Sequence, residues 1–218
     1  MRPSIRIKIC GLRRPDEVEA AVGAGADYVG FVFFPPSPRH ISAARAGELE
    51  KLTGGVQRVA LTVDASDQEL EDIVRAVDPD MFQLHGNEKP RRVADIRRRF
   101  DRPVMKAIGV RSAGDLALAS DYDAAADQLL IDAKPDSPDA LPGGGGKKFD
   151  WDILRDWKPA LPWMLAGGLN AENVVMALER TGAEQVDVSS GVEESPGRKS
   201  PTRIVAFINA VRRRNHDR

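Results

Sequence analysis

Two side chains in this sequence could move protons as a couple. Cys10 is the only cysteine, and Asp132 closes the apolar run Leu129-Leu130-Ile131. A lone cysteine is most often an inert, small apolar residue. Lys8, two residues earlier, shares its face of an extended strand, which aims Cys10 at whatever that face borders. A carboxylate ending a buried strand is expensive unless it is paired or functional. A thiol and a carboxyl facing each other across a site make an acid–base pair.

Other positions fit the binding of an anion. Ala166-Gly167-Gly168-Leu169-Asn170 and Val188-Ser189-Ser190-Gly191-Val192 place glycines where a backbone can approach a ligand and offer its N–H groups. Tight strand-to-helix turns are the simpler reading of either segment alone. Arg39 follows the stiff segment Pro35-Pro36-Ser37-Pro38, and is either an ordinary surface arginine or a bidentate anchor for a carboxylate. His85 is a ligand-binding group, a base or a satisfied core histidine. With three histidines in all and none at metal spacing from another, nothing in the histidine pattern points to a zinc site. Gly143–Gly146, followed by Lys147-Lys148, is either a linker or a flap that closes over a substrate.

These groups need elements to hold them. Short β-branched runs at Ile5–Cys10, Tyr28–Phe33, Val56–Val63, Met81–His85, Val104–Val110, Gln128–Asp132, Trp163–Ala166 and Gln185–Ser189 read as strands. Between them Arg14–Ala24, Ala43–Leu52, Asp67–Val77, Lys89–Phe100, Asn170–Thr181 and Thr202–Arg213 read as helices. Pro15-Asp16 and Ser66-Asp67 are start signals, and Gly23 and Gly182 are stops. Such alternation predicts a parallel sheet with right-handed crossovers. Eight units in 218 residues is roughly 27 residues each, the size of a compact (β/α)8 repeat. A doubly wound sheet would want a G-x-G-x-x-G turn after the first strand, where Cys10-Gly11-Leu12 stands instead. The expected fold class is therefore α/β, a TIM barrel in one domain over residues 1–218.

The working face of a barrel is the C-terminal end of its strands. Cys10, Phe33 to Pro38, Asp64, His85, Gly109, Asp132, Gly167-Gly168 and Ser189-Ser190-Gly191 all fall there. A phosphate is commonly held after strands seven and eight, which are the two glycine-bearing ends. Lys8, Lys106 and Asp187 lie inside strands, so mutual pairing is expected, with Lys8 and Asp187 the first choice if strand eight closes onto strand one.

Composition narrows the function classes. Thirty-two Lys and Arg against 33 Asp and Glu leave a net charge of -1, and the pI is near 6.3. That balance offers no broad footprint for nucleic acid or an anionic membrane. No apolar run approaches the roughly 20 residues that span a bilayer, and Met1-Arg2-Pro3-Ser4 does not open a signal peptide. One cysteine rules out an internal disulfide framework. Aromatic residues are 6% of the chain, so Val, Ile, Leu and Ala must fill the core. A cytoplasmic protein is expected, with Arg212–Arg214 as a solvated basic end.

Taken in order, Lys8-Ile9-Cys10-Gly11, Gly30-Phe31-Val32-Phe33, Ser37-Pro38-Arg39, Gln83-Leu84-His85-Gly86, Leu130-Ile131-Asp132, Gly145-Gly146-Lys147, Phe149-Asp150-Trp151, Ala166-Gly167-Gly168-Leu169, Asn173-Val174 and Val186-Asp187-Val188-Ser189-Ser190-Gly191-Val192-Glu193 resemble the phosphoribosylanthranilate isomerases of tryptophan biosynthesis. The resemblance implies a metal-free, cofactor-free Amadori rearrangement of N-(5-phosphoribosyl)anthranilate to 1-(2-carboxyphenylamino)-1-deoxyribulose 5-phosphate. It implies Cys10 as general base, Asp132 as general acid and Arg39 as the anthranilate carboxylate anchor. His85, Gly145, Gly146, Gly167, Gly168, Ser190 and Gly191 would complete the binding of a phosphosugar by a monomer or homodimer. A protonated carboxyl beside a deprotonated thiol requires both pKa values to move toward neutrality. Thr62 and the proline-rich stretch Pro135–Pro142 depart from the family pattern. The related histidine-pathway isomerase would need aspartates ending strands one and five, and neither Cys10 nor Ile108-Gly109-Val110 supplies one. A non-catalytic phosphosugar-binding barrel would need neither Cys10 nor Asp132.

Overall fold

The computed structural model describes residues 4–134 and 149–216. Eight parallel strands, β1 (Arg6–Cys10), β2 (Tyr28–Phe33), β3 (Gln57–Thr62), β4 (Met81–Leu84), β5 (Val104–Val110), β6 (Gln128–Ala133), β7 (Trp163–Leu165) and β8 (Gln185–Val188), close in sequence order into a barrel. Every expected strand is present, with ends displaced by a residue at most. The helices α1 (Pro15–Gly23), α2 (Ala43–Glu50), α3 (Asp67–Val77), α4 (Pro90–Phe100), α5 (Val174–Thr181) and α6 (Pro201–His216) match the six expected segments.

Strand alternation sorts the core into two layers. Tyr28, Val59, Met81, Met105, Leu130 and Met164 form one cluster and fill the barrel interior. The residues between them in sequence, such as Ile7, Ile9, Phe31, Leu129 and Val186, meet the helices at Val18, Leu178, Ile204 and Phe207. Local chemistry fixes the helix ends. Ser66 caps α3 by accepting the Glu69 N–H, and Glu69 returns the contact to the Ser66 N–H at 2.7 Å.

Some expectations need correction. Gly23 is the last residue of α1 and has no left-handed backbone; Gly25 (φ +90°) makes the turn, whereas Gly182 (φ +68°) does cap α5. The helix expected from Asn170 begins at Val174. Asn170 and Asn173 instead build the preceding turn, with the Asn170 Oδ1 accepting two backbone N–H groups. The crossovers after β5 and β6 carry 3-10 helices at Ala113–Tyr122 and Trp151–Leu154. After β8 come an unexpected 3-10 turn, Ser190–Val192, and an antiparallel hairpin of β9 (Glu193–Ser195) and β10 (Arg198–Lys199). Arg212–Arg214 is no loose end: it lies in α6, and Arg212 donates to the Ile5 and Gly25 carbonyls and to Asp27.

Lys8 and Asp187 do pair, at 3.0 Å across β1 and β8, where they are directly opposed. Lys106 does not join them. It stands between the inward Met105 and Ala107 and therefore points outward, where it meets Glu88 at 2.7 Å and the Gly86 carbonyl at 2.7 Å. Glu88 in turn accepts the N–H groups of Asp64 (2.8 Å) and Gly86 (3.0 Å), so the pair ties the loops after β3 and β4 together. Removing the lysine would leave a buried carboxylate uncompensated. Lys106→Met should cost about 3 kcal/mol in a urea melt. A loss below about 1 kcal/mol would show that water replaces the ammonium.

Candidate active site

The C-terminal mouth of the barrel gathers the reactive groups. Cys10 ends β1 on the inner face, above Lys8, and is 2% exposed. Its Sγ lies only 3.0 Å from where a Cβ on Gly30 would stand, so β2 needs glycine there to admit the thiol. Val32 and Leu61 pack around it. Burial pushes the Cys10 thiol above its ordinary value; Lys8 and Lys199 pull against that, and Asp187 adds to it. The expected downward shift is therefore not what these surroundings produce, because desolvation outweighs the two ammonium groups.

Asp132, one residue before the end of β6, lies on the same face, above Leu130, and is 9% exposed. One carboxylate oxygen accepts its neighbour Ala133 N–H at 2.8 Å; the other lies 3.5 Å from His85 Nε2. His85 is held by Gln83, whose Nε2 lies 2.9 Å from the ring Nδ1. The Gln83 amide thus fixes the ring through Nδ1 and turns Nε2 toward Asp132. His85 thus belongs with the carboxyl of β6, an arrangement that periodicity alone does not reveal. Gly167 (φ +87°) leaves room beside it: an added Cβ would come within 2.9 Å of the Ala133 nitrogen.

The two glycine-bearing ends also meet. A Cβ on Gly191 would stand 1.8 Å from the Leu169 carbonyl oxygen, so only glycine lets the turn after β8 press against the one after β7. Asn173 secures that second turn by donating to the Gly168 carbonyl at 2.9 Å. Ser190 and Gly191 begin the 3-10 turn.

Arg39 reaches the mouth, but its fork closes on a carboxylate of the chain itself. Nε and Nη2 each donate to Glu193 at 2.8 Å. Lys199 shares that carboxylate at 2.7 Å. Glu193, Lys199, Gln83 and Gly30 are the site residues that sequence reasoning missed. Glu193 closes a motif already singled out, whereas Lys199 lies on a hairpin whose two short strands carry no periodic signal. Gly145 and Gly146, with the rest of the expected flap, fall outside the described residues. Among the described residues no three His, Cys, Asp or Glu side chains converge as metal ligands would, and no helix is long and apolar enough to cross a membrane.

A family model for N-(5'-phosphoribosyl)anthranilate isomerase matches residues 7–210. The chain belongs to the phosphoribosylanthranilate isomerase family. It is 56% identical to the N-(5'-phosphoribosyl)anthranilate isomerase of Cereibacter sphaeroides over 209 residues, covering 95% of this chain and 99% of that one. The Parvibaculum lavamentivorans isomerase is 53% identical over 213 residues, with 96% and 99% covered. Among solved structures, that of the Thermotoga maritima phosphoribosylanthranilate isomerase superposes with a TM-score of 0.85 at 36% identity, covering 95% of this chain and 98% of the other. A phosphoribosylanthranilate isomerase structure in complex with reduced 1-(o-carboxyphenylamino)-1-deoxyribulose 5-phosphate gives 0.81 at 34% identity over the same shares.

The contact between the two glycine turns yields a test. Gly191→Ala in this phosphoribosylanthranilate isomerase relative must displace the Leu169 backbone, and overpacking of that kind costs roughly 1–3 kcal/mol. Its melting temperature should fall by several degrees. Gly23→Ala, at an exposed helical site with open space around it, should leave it unchanged or higher. Equal melting temperatures for the two variants would mean that the turns are not pressed together.

Proposed function

We propose that this protein rearranges N-(5-phosphoribosyl)anthranilate to 1-(2-carboxyphenylamino)-1-deoxyribulose 5-phosphate, with Asp132 as general acid and Cys10 as general base. The observation that carries the reading is the placement of a buried thiol and a histidine-braced carboxyl on the inner face of one barrel mouth, in a chain of this family. Asp132 protonates the ribose ring oxygen while the anthranilate nitrogen pushes its lone pair toward C1. The C1–O bond breaks and leaves an iminium. Cys10 then removes the proton from C2, the electron pair of that C–H bond neutralises the iminium, and the resulting enolamine tautomerises to the ketone. His85 keeps the carboxyl aimed. The phosphate is assigned to backbone N–H groups of the turns at Gly168 and Gly191, and the anthranilate carboxylate to the positive charge of Arg39, which Glu193 holds at the mouth and whose bidentate fork it already occupies.

Two features of the mouth favour this reading over its neighbours. The end of β1 is a cysteine and the end of β5 is Gly109-Val110, so the two-aspartate chemistry of the histidine-pathway isomerase lacks its carboxylates. A barrel that only bound phosphosugars would have no use for a thiol that a glycine on the next strand makes room for.

Purified protein should consume phosphoribosylanthranilate, followed by loss of its fluorescence. Cys10→Ser and Asp132→Asn should each lower kcat by at least roughly a hundredfold, the worth of a positioned base or acid. Affinity for the reduced product analogue should survive in both. Near-normal turnover in either variant removes that residue from the mechanism. The thiol also sets a pH dependence. A base acts only when deprotonated, and burial raises the value at which Cys10 loses its proton. Because the same reaction also needs Asp132 protonated, the profile of kcat/KM has a limb for each group, and the limb belonging to the thiol should lie above the pH of about 8.5 at which an ordinary thiol titrates. A profile with no limb above a pH of about 8.5 would contradict the assignment of the base.

A further inference from the structure

Lys199 is a buried charge that the proposed chemistry does not use. Its side chain has no exposed surface, although it sits on a short hairpin at the rim. Its ammonium has three protons to give, and three acceptors surround it: the Ser189 carbonyl at 3.1 Å, the Ser189 hydroxyl at 3.0 Å and Glu193 Oε1 at 2.7 Å. Nothing is left over for a substrate. Its backbone is fixed as well, since the Lys199 N–H donates to Glu17 at 3.0 Å and Glu17 also accepts the Arg13 N–H at 2.7 Å.

The acceptors are the informative part. Glu193 is the carboxylate that grips Arg39 through both oxygens. Ser189 donates its hydroxyl proton to the Cys10 carbonyl at 3.2 Å. Between these two arms lies Gly11 (φ +81°), the residue after Cys10. A Cβ there would meet Arg39 Cδ at 3.1 Å and Lys199 Nζ at 3.3 Å, so both cations rest against the turn that leaves the thiol. One ammonium therefore touches the support of the proposed base and the support of the proposed carboxylate anchor.

We propose that Lys199 is a positioning residue for the isomerisation, setting Arg39 through Glu193 and the Cys10 turn through Ser189. This rests on the reading above, in which Cys10 and Arg39 act on the substrate. The rival is a purely structural anchor for the hairpin, which would affect melting and nothing else. The charges facing Cys10 are Lys8 from β1, Asp187 from β8 and Lys199 from β10; removing the last leaves one cation against one anion.

Lys199→Met, confirmed as folded by circular dichroism, should raise KM roughly tenfold, the equivalent of one lost charge-assisted contact. It should also move the thiol's limb of the kcat/KM profile to higher pH. Ser189→Ala cuts only the arm to Cys10, so kcat should fall several-fold while KM changes little. That milder variant carries the test where Lys199→Met does not fold. Wild-type KM, kcat and pH limb in the folded variants would overturn the proposal, leaving an anchor. Failure of the underlying reading looks different. In that case Cys10→Ser stays active or Arg39→Ala keeps its KM, whatever happens at position 199.

Discussion

Lys8 and Asp187 meet where the first and last strands of the barrel join, and the geometry of the mouth follows from that contact. They are directly opposed on β1 and β8 and wholly or nearly buried. An unpaired charge at that depth would cost several kcal/mol, so the pair forbids both an open seam and a shifted one. A slip of one residue would turn Lys8 or Asp187 to the wrong face. With the register set, Cys10 stands one pleat above Lys8 and Ser189 one pleat beyond Asp187, close enough for the serine hydroxyl to reach the Cys10 carbonyl. The turn bearing Ser190 and Gly191 is thereby delivered to the side of the thiol.

A second regularity links the two halves of the mouth. On the β4 side, Lys106 and Glu88 form a buried pair whose carboxylate gathers the loop N–H groups beside His85. On the β8 side, Lys199 and Glu193 form another, and its carboxylate gathers Arg39. Both pairs lie outside the barrel interior and hold loops rather than strands. A loop ordinarily trades rigidity for reach, and its backbone polar groups need partners once buried. A lysine–glutamate pair answers both needs, because a carboxylate accepts several N–H groups while the ammonium neutralises it. The acid end and the base end are thus braced by the same device, built from unrelated segments.

The strands were legible because each is a short β-branched run between charged amphipathic segments, and that contrast survives without any tertiary information. Their positions at strand ends then placed Cys10 and Asp132 at the barrel mouth, and the Lys8–Asp187 contact followed from closure alone. What stayed hidden depends on contacts distant in sequence. Arg39 and Glu193 are separated by 154 positions, and no local pattern at Arg39 distinguishes an internal partner from a bound carboxylate. Lys106 was placed in the wrong layer because a lysine within an apolar run says nothing about which face it takes; the inward Met105 and Ala107 decide it. The direction of the Cys10 shift escaped for a related reason. Nearby lysines are visible in sequence, whereas the degree of burial that outweighs them is not.

The identity of the group at the end of β1 follows from the charges beneath it. Below position 10 the ammonium of Lys8 is already matched by Asp187, and burial opposes that charge until Asp187 and Cys10 offset it. A carboxylate at position 10 would bring a second permanent negative charge beside Asp187, with the desolvation of a site where the residue is 2% exposed. A thiol avoids this, because it is neutral while its proton is in place and can rest in a dry, apolar setting beside Val32 and Leu61. Negative charge exists there only in the deprotonated state that accepts the C2 proton, where Lys8 and Lys199 are on hand to stabilise it, and the transfer itself restores the neutral thiol. The same surroundings that make Cys10 a reluctant acid make its thiolate, once formed, a strong base for a carbon-bound proton.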